Sequence, residues 1–431
     1  LKRVLIITYH WPPSGGITVL RCLKIAKYLR AFGWEPVILT AENAAYQHLD
    51  FSNSLDIPDG IEILKVPILE PINAFKVLSG RKQNTPVQNI TANSSKKKTF
   101  IDKLGMWIRG NFFIPDARFL WIKPSVSYLT TYLQKHPVDA IFTDGPPHTN
   151  TVIGLQIAKK FNIPWIADFQ DPWTQVDYYT ELYIGKRADR KHKQLEKAVF
   201  DTAQQITIAS PTWKTDLEGI GAKNVEVLYY GYDEADFKEF KTIPNDFFTI
   251  VHAGLLGADR NPVTFFKVLG NLLQETPQLK DKIKIILAGE VDLSVQKCIE
   301  QNGLKERTTY CGMISRQEVY ALYASASLLI LPVNQAANAK GRIPGKLFEL
   351  LRTAKPILVF GPSDGDVKQI VEQKQRGISV RYHDHQKLKN YLQKAIFEHE
   401  FENFDANSSV REFSNFELTQ QVAKLLDGIT A

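Results

Sequence analysis

Short, nearly continuous apolar runs alternate along this chain with longer stretches in which apolar residues recur every three or four positions. The short runs predict strands at Val4–Thr8, Pro36–Thr40, Glu62–Val66, Ala140–Thr143, Trp165–Phe169, Gln205–Ala209 and Val225–Tyr229. A second series follows at Phe248–Ala253, Lys284–Leu287, Thr308–Cys311, Leu328–Pro332, Ile357–Phe360 and Ile378–Arg381. The longer stretches predict helices, among them Thr18–Phe32, Thr149–Phe161, Thr180–Asp201, Pro262–Glu275, Arg316–Ala324 and Lys346–Arg352. Apolar strands that alternate with helices imply parallel sheets covered on both faces.

The alternation pauses near Phe240–Asp246 and restarts with a fresh strand. The expected organisation is an N-terminal Rossmann-like domain over 1–240, a linker at 241–246, and a second such domain over 247–400. A tail over 401–431 carries a closing helix at Phe413–Leu426. The fold class is α/β, two doubly wound domains. A length of 431 residues suits two domains, each able to bury a core without disulfides or a structural metal.

Composition narrows the classes. Hydrophobic residues at 44% and charged residues at 23% exclude a wholly disordered or fibrous chain. Cys22, Cys298 and Cys311 have neither disulfide-framework nor zinc-site spacing. No apolar run reaches the ~20 residues of a membrane span, so a cytoplasmic protein is expected. Formal net charge is +7, yet residues 76–123 alone carry +8 and the remainder sums to −1. Charge confined to one insertion argues against a nucleic-acid binder, whose basic residues should follow a folded face.

Candidate chemistry sits where strands end and helices begin, the usual ligand edge of an open α/β sheet. In Tyr9-His10-Trp11-Pro12-Pro13-Ser14-Gly15-Gly16 the two glycines admit close backbone approach, with His10 and Arg21 facing the same space. The alternative is a turn that only reverses the chain. His148, after Asp144-Gly145-Pro146-Pro147, is placed for chemistry or for a simple helix cap. Asp168 and Asp171, beside Trp173, suit hydroxyl binding or proton transfer, and equally an N-cap ahead of Pro172. In the second half, Gly254 and Arg260 suit a diphosphate, as do Arg342 and Lys346, with Glu349 one turn on for ribose hydroxyls. Surface cations capping a helix are the bland reading. Asp364-Gly365-Asp366 reads better as a turn than as a metal site, and no metal is expected.

Taken in order, these motifs resemble the glycosyltransferase group 1 (GT4-type) enzymes of the GT-B fold, over almost the whole length. The markers are Tyr9–Gly16, Pro146-Pro147-His148, Asp168–Trp173, Gly254 with Arg260, and Gly345-Lys346-Leu347-Phe348-Glu349. The resemblance implies two domains facing a central cleft, and retaining, metal-independent transfer from a nucleotide sugar without a cofactor, UDP- or GDP-sugar being favoured. It implies diphosphate contacts from Gly15, Gly16, Gly254, Arg260 and Lys346, and ribose on Glu349. The base would lie along Gly312, Met313 and Ile314. His148, Asp168 and Asp171 would be catalytic, with His10, Arg21 and Arg342 as acceptor or cleft candidates. The acceptor implied is a glycan or lipid-linked glycan of cell-surface polysaccharide synthesis.

Two departures stand out. A Glu eight positions before Glu349 is usual, and this chain has Gly341 there. The second cation expected about five residues after Arg260 is replaced by Phe265, with Lys267 nearest. A sugar-nucleotide 2-epimerase of the same architecture and a two-domain ligand-binding protein are the alternative readings. Within the basic insertion, residues 96–118 interleave Lys and Arg with Trp107, Phe112 and Phe113, a pattern suited to an anionic membrane surface. A solvated loop followed by an ordinary packed helix explains it as well. A peripheral place on the inner face of the plasma membrane is therefore a further expectation.

Overall fold

A computed structural model describes residues 1–46, 48–70 and 100–431. The low-complexity stretch Ser79–Lys98, Lys96–Lys98 included, lies outside them. The chain forms two compact units, Leu1–Tyr230 with Asn415–Ala431, and Gly231–Ser414. The division falls at Tyr230, ahead of the expected linker, and the tail 401–431 is shared between the units.

The first unit holds seven parallel strands: β1 (Lys2–Ile7), β2 (Trp34–Ala41), β3 (Glu62–Val66), β4 (Ala140–Gly145), β5 (Trp165–Phe169), β6 (Gln205–Ile208) and β7 (Val225–Val227). Their spatial order is β3-β2-β1-β4-β5-β6-β7. Among the described residues, six helices precede the second unit: α1 (Ile17–Leu29), α2 (Phe100–Phe112), α3 (Ile122–Leu133), α4 (His148–Phe161), α5 (Lys186–Phe200) and α6 (Pro211–Gly219).

Both faces of this sheet are covered, which is why its strands read as unbroken apolar runs. On β1, Leu5 and Ile7 join a core with Trp121, Leu129 and Ile153 on one face. Val4 and Ile6 join Cys22, Leu23 and Ala26 on the other. Each such buried side chain contributes about 1.5–3 kcal/mol. The expected helix Thr180–Asp201 is interrupted. A 3-10 turn spans Asp177–Leu182, Tyr183 takes φ +50°, and α5 starts only at Lys186.

The second unit repeats the plan with six parallel strands: β8 (Phe248–Ala253), β9 (Ile283–Ala288), β10 (Thr308–Gly312), β11 (Leu328–Pro332), β12 (Ile357–Phe360) and β13 (Gly377–Val380). Their order is β10-β9-β8-β11-β12-β13. Its helices are α7 (Val263–Glu275), α8 (Leu293–Gln301), α9 (Arg316–Ser325), α10 (Lys346–Arg352), α11 (Asp366–Gln373) and α12 (His385–Gln393). The closing helix, α13 (Asn415–Thr430), rejoins the first unit: Leu418, Val422, Ala423 and Leu426 enter the α1 side of its core. Among the described residues, no helix is long and apolar enough to cross a membrane.

In each sheet the strand order reverses once, at β1/β4 in the first unit and at β8/β11 in the second. Chain leaving the carboxyl ends of two neighbouring strands diverges at such a point and opens a crevice. Tyr9–Gly16 and His148 follow β1 and β4 at the first of these places, and Gly254 and Arg260 follow β8 at the second.

Candidate active site

In the second unit, β8 ends at Ala253 and turns through Gly254, whose φ of +118° only glycine adopts without strain. Lys346 opens α10, and its ammonium is folded back over this turn. Nζ donates to the Ala253 carbonyl at 2.9 Å and lies 3.4 Å from His252 Nε2. A Cβ on Gly254 would stand 3.0 Å from that Nζ. Glycine is therefore required twice over, by backbone conformation and by the lysine.

Burial, with the Arg260 charge nearby, pushes Lys346 down to about 7, while Glu349 pulls the other way. Burial chiefly, and then Lys346, pushes His252 down to about 3, so the imidazole is neutral. Arg260 is paired within its own turn, its Nη2 lying 2.8 Å from Asp259 Oδ2. The helix begun by Lys346 has only seven residues, so the site rests on side chains more than on a helix terminus.

Glu349 follows one turn later. Its Oε1 accepts from Arg316 Nη2 at 3.1 Å and from the Tyr320 hydroxyl at 3.2 Å. Arg316 is shared with Asp236, Nη2 to Oδ2 at 2.7 Å. Burial raises Glu349, while Arg316 and Tyr320 oppose that rise. At the expected base loop, Gly312 takes φ +63°, its carbonyl accepts from Gly289 N at 2.6 Å, and Met313 is exposed. Ile314 follows, partly buried. Arg342 is partly buried, and its backbone N–H donates to Ala339.

The sequence reading missed a set of amides on the loop that leaves β11. The N–H of Gln335 donates to Asp259 at 2.9 Å, tying this loop to the segment that carries Arg260. Beside that tie, Asn261 Oδ1, Asn334 Oδ1 and both amide atoms of Asn338 are buried without a hydrogen-bond partner among the described residues. Buried polar atoms are nearly always satisfied, so these amides are candidates to meet a water or a polar ligand. Their only signal in the sequence was three asparagines around Arg260 and ahead of Gly341.

In the first unit, the β1 loop is held by its backbone: Gly15 N donates to the His48 carbonyl, and Gly16, at φ +88°, leads into α1. His10 Nδ1 lies 3.4 Å from Ser14 Oγ, and its ring packs edge-on against Tyr9. Burial, then Arg118, pushes it down to about 3.

Arg21 and Asp168 are brought together by the structure. Arg21 Nε lies 3.3 Å from Asp168 Oδ2 with both side chains buried. The same guanidinium donates to Leu228 O and stacks over Tyr230. Asp168 also accepts from the Thr207 hydroxyl at 2.7 Å. These two residues pair with each other inside the first unit. Asp171 is only partly buried, just beyond β5.

His148 opens α4 at the carboxyl end of β4. Its ring lies flat on Trp173, centroids 4.4 Å apart and planes within 5°. Burial pushes it down to about 3, which leaves a neutral imidazole able to accept a proton only in a changed environment. A Cβ on Gly145 would stand 2.9 Å from His148 Nδ1, so the small residue before the two prolines makes room for the ring. Asp144 is wholly internal, bonded by Thr8 and Asn150. It does not orient His148.

Residues 251–396 match the family described as "Glycosyl transferases group 1". The chain has the GT-B fold. The matched residues include Gly254, Arg260, Lys346 and Glu349. Sucrose-phosphate synthase from Thermosynechococcus elongatus is similar over 100% of this chain and 99% of its own, at 13% identity and a TM-score of 0.65. Anabaena HepE, solved in complex with UDP and glucose, is similar over 99% of this chain and 100% of its own, at 16% identity and 0.61. A UDP-N-acetylglucosamine 2-epimerase structure from Listeria monocytogenes, itself titled putative, shares the fold over 99% of this chain and 96% of its own, at 9% and 0.56. No curated protein sequence matches the chain. Transferases and an epimerase share this architecture, so the fold alone does not separate them. The group 1 match does favour transfer.

Proposed function

We propose that this protein is a retaining, metal-independent glycosyltransferase that moves a sugar from a nucleoside diphosphate sugar to a glycan or lipid-linked acceptor in cell-surface polysaccharide synthesis. The observation that carries the reading is the Lys346 ammonium folded over Gly254 at the β8/β11 switch point, with Arg260 close enough to depress it. Two cations beside a bare stretch of backbone suit a diphosphate. That is where negative charge grows as the nucleoside diphosphate departs.

In this reading Lys346 and Arg260 hold the diphosphate, and Gly254 lets it approach the backbone. Glu349, paired with Arg316, takes the ribose hydroxyls, and the base lies along Gly312–Ile314. The amides of Asn334 and Asn338 take hydroxyls of the transferred sugar, in place of the carboxylate that Gly341 cannot supply. Amides serve because each offers both donors and acceptors. His148 and Asp171 act on the acceptor side. A departing phosphate oxygen takes the proton of the attacking hydroxyl on the same face of the sugar.

We also assign a peripheral membrane contact to α2. Leu104, Trp107 and Phe112 are exposed along it, with Lys103 exposed beside them. An apolar stripe flanked by cations binds anionic lipid better than neutral lipid.

Purified protein incubated with UDP-, GDP-, ADP- and dTDP-sugars tests the main reading. Thermal stabilisation by one nucleotide, and its release only when an acceptor is added, is the expected result. Rearrangement of donor alone would assign an epimerase instead, and no stabilisation by any nucleotide would overturn the reading.

A further inference from the structure

Against the His148 ring stands a pair of side chains that the reaction above does not use. Trp173 lies flat on the His148 ring, and its indole Nε1 donates to His192 Nδ1 at 3.1 Å. An indole N–H can only donate, so His192 Nδ1 carries a lone pair and the proton sits on Nε2. The other hydrogen bond of that ring runs to the backbone of Gly110, in the last turn of α2. His192 is buried, so both its nitrogens are committed in one tautomer.

The stack is clamped from several sides. One turn after His192 on α5, Glu196 accepts from the backbone and the hydroxyl of Thr174, the residue after Trp173. Helix α2 is in turn stitched to the chain entering α5. Asn111 accepts from Gly185 N at 2.8 Å and donates to Tyr183 O at 3.1 Å. A Cβ on Gly110 would stand 2.5 Å from Leu182 O, so the helix lies directly on that segment. Asp116, just beyond α2, caps α4 by accepting from the backbone and hydroxyl of Thr149, the neighbour of His148.

We propose that His192 is a positioning residue: it holds the Trp173 ring flat against His148 and ties that stack to helix α2. The inference rests on the assignment of His148 to the acceptor side. Without the Nδ1 acceptor, the indole loses the bond that fixes its plane, and His148 gains rotational freedom where it needs one orientation. Residues far from the reacting atoms can act in this way, because a misplacement of about 1 Å can cost 10²-fold in rate. The second bond, to Gly110, makes the basic amphipathic helix part of the same support.

Substitutions that keep one half of the arrangement test it. An asparagine oxygen can lie near the place of Nδ1, whereas a glutamine amide reaches toward that of Nε2. His192→Asn should keep the Trp173 bond and most of kcat, and His192→Gln and His192→Ala should lose kcat about tenfold or more. All three should bind free nucleoside diphosphate as the wild type does. In 15N spectra the downfield Trp173 indole N–H should persist in His192→Asn and shift in His192→Gln. If His148→Ala impairs transfer but His192→Gln and His192→Asn both turn over like wild type, the positioning role is overturned. If His148→Ala itself has full turnover, the assignment of His148 falls instead. Should His192→Ala fail to fold, the Asn and Gln pair decides.

Discussion

Lys346 and Gly254 share one space: the ammonium donates to Ala253 O at 2.9 Å, and a Cβ on Gly254 would come within 3.0 Å of Nζ. The lysine is thereby drawn across the end of β8 before any ligand arrives. A cation held at its post binds an anion without first losing side-chain freedom.

Gly254→Ala should therefore displace Lys346 and strain the backbone together. A non-glycine residue forced into an unfavourable φ costs about 1–3 kcal/mol, so a drop in melting temperature is expected. Donor affinity should fall at least tenfold. Titration calorimetry with the free nucleoside diphosphate measures the second effect. Binding as tight as wild type would remove Gly254 from the site.

Donor binding should take up a proton. Lys346 is held down near 7 in the free protein, mainly by burial. A diphosphate restores the charged form, so affinity should weaken as pH rises above 7. The same shift acts on stability. Its folded value lies below its unfolded one, so its contribution is present above the unfolded value of about 10.4 and lost as pH falls through 7. Calorimetry in buffers of different ionisation heat reads the proton directly. Lys346→Arg, which cannot lose its proton in this range, should abolish the effect.

Asp144 predicts the opposite slope. Burial raises it to about 7, with Asp168 adding to the rise, while Thr8, Cys22 and Asn150 oppose it. A raised carboxyl stabilises the fold fully below the unfolded value near 4, and that contribution is lost as pH climbs through 7. The difference is on the order of a few kcal/mol. Asp144→Asn should flatten the stability profile between pH 4 and 7, as measured by urea unfolding at several pH values.

Asn334→Ala and Asn338→Ala should separate sugar from nucleotide. The donor KM should rise several-fold in each, since an unmatched buried hydroxyl contact is worth about 1–3 kcal/mol. The affinity for free nucleoside diphosphate should not change. If both affinities fall together, the amides support the loop and do not touch the sugar.

Much of this was legible in the sequence, for a physical reason. Strands buried on both faces, such as β1 and β4, leave no polar alternation, so their runs stand out from the amphipathic helices. The positions of Gly254, Lys346 and Glu349 were visible because strand ends and glycines punctuate the pattern. What could not be read was pairing across distance. Arg21 finds Asp168 through the fold, not through spacing. Arg260 is matched by its neighbour Asp259 only because the turn brings the two groups together. Arg316 stands 33 positions from Glu349. The split of Thr180–Asp201 was hidden for a similar reason: Tyr183 carries the positive φ, and nothing in its side chain announces it.

Helix α13 carries a consequence for how the molecule is made. It fills the α1 side of the first sheet with Leu418, Val422 and Leu426, and its Asp427 takes the indole hydrogen bond of Trp34. The first unit is thus assembled from two stretches of chain, with all of the second unit threaded between them. On the ribosome its sheet emerges early, yet one flank, covered by α1 alone, stays incomplete until the second unit has been synthesised. The order of translation and the order of completion are therefore different, and the domain begun first is finished last.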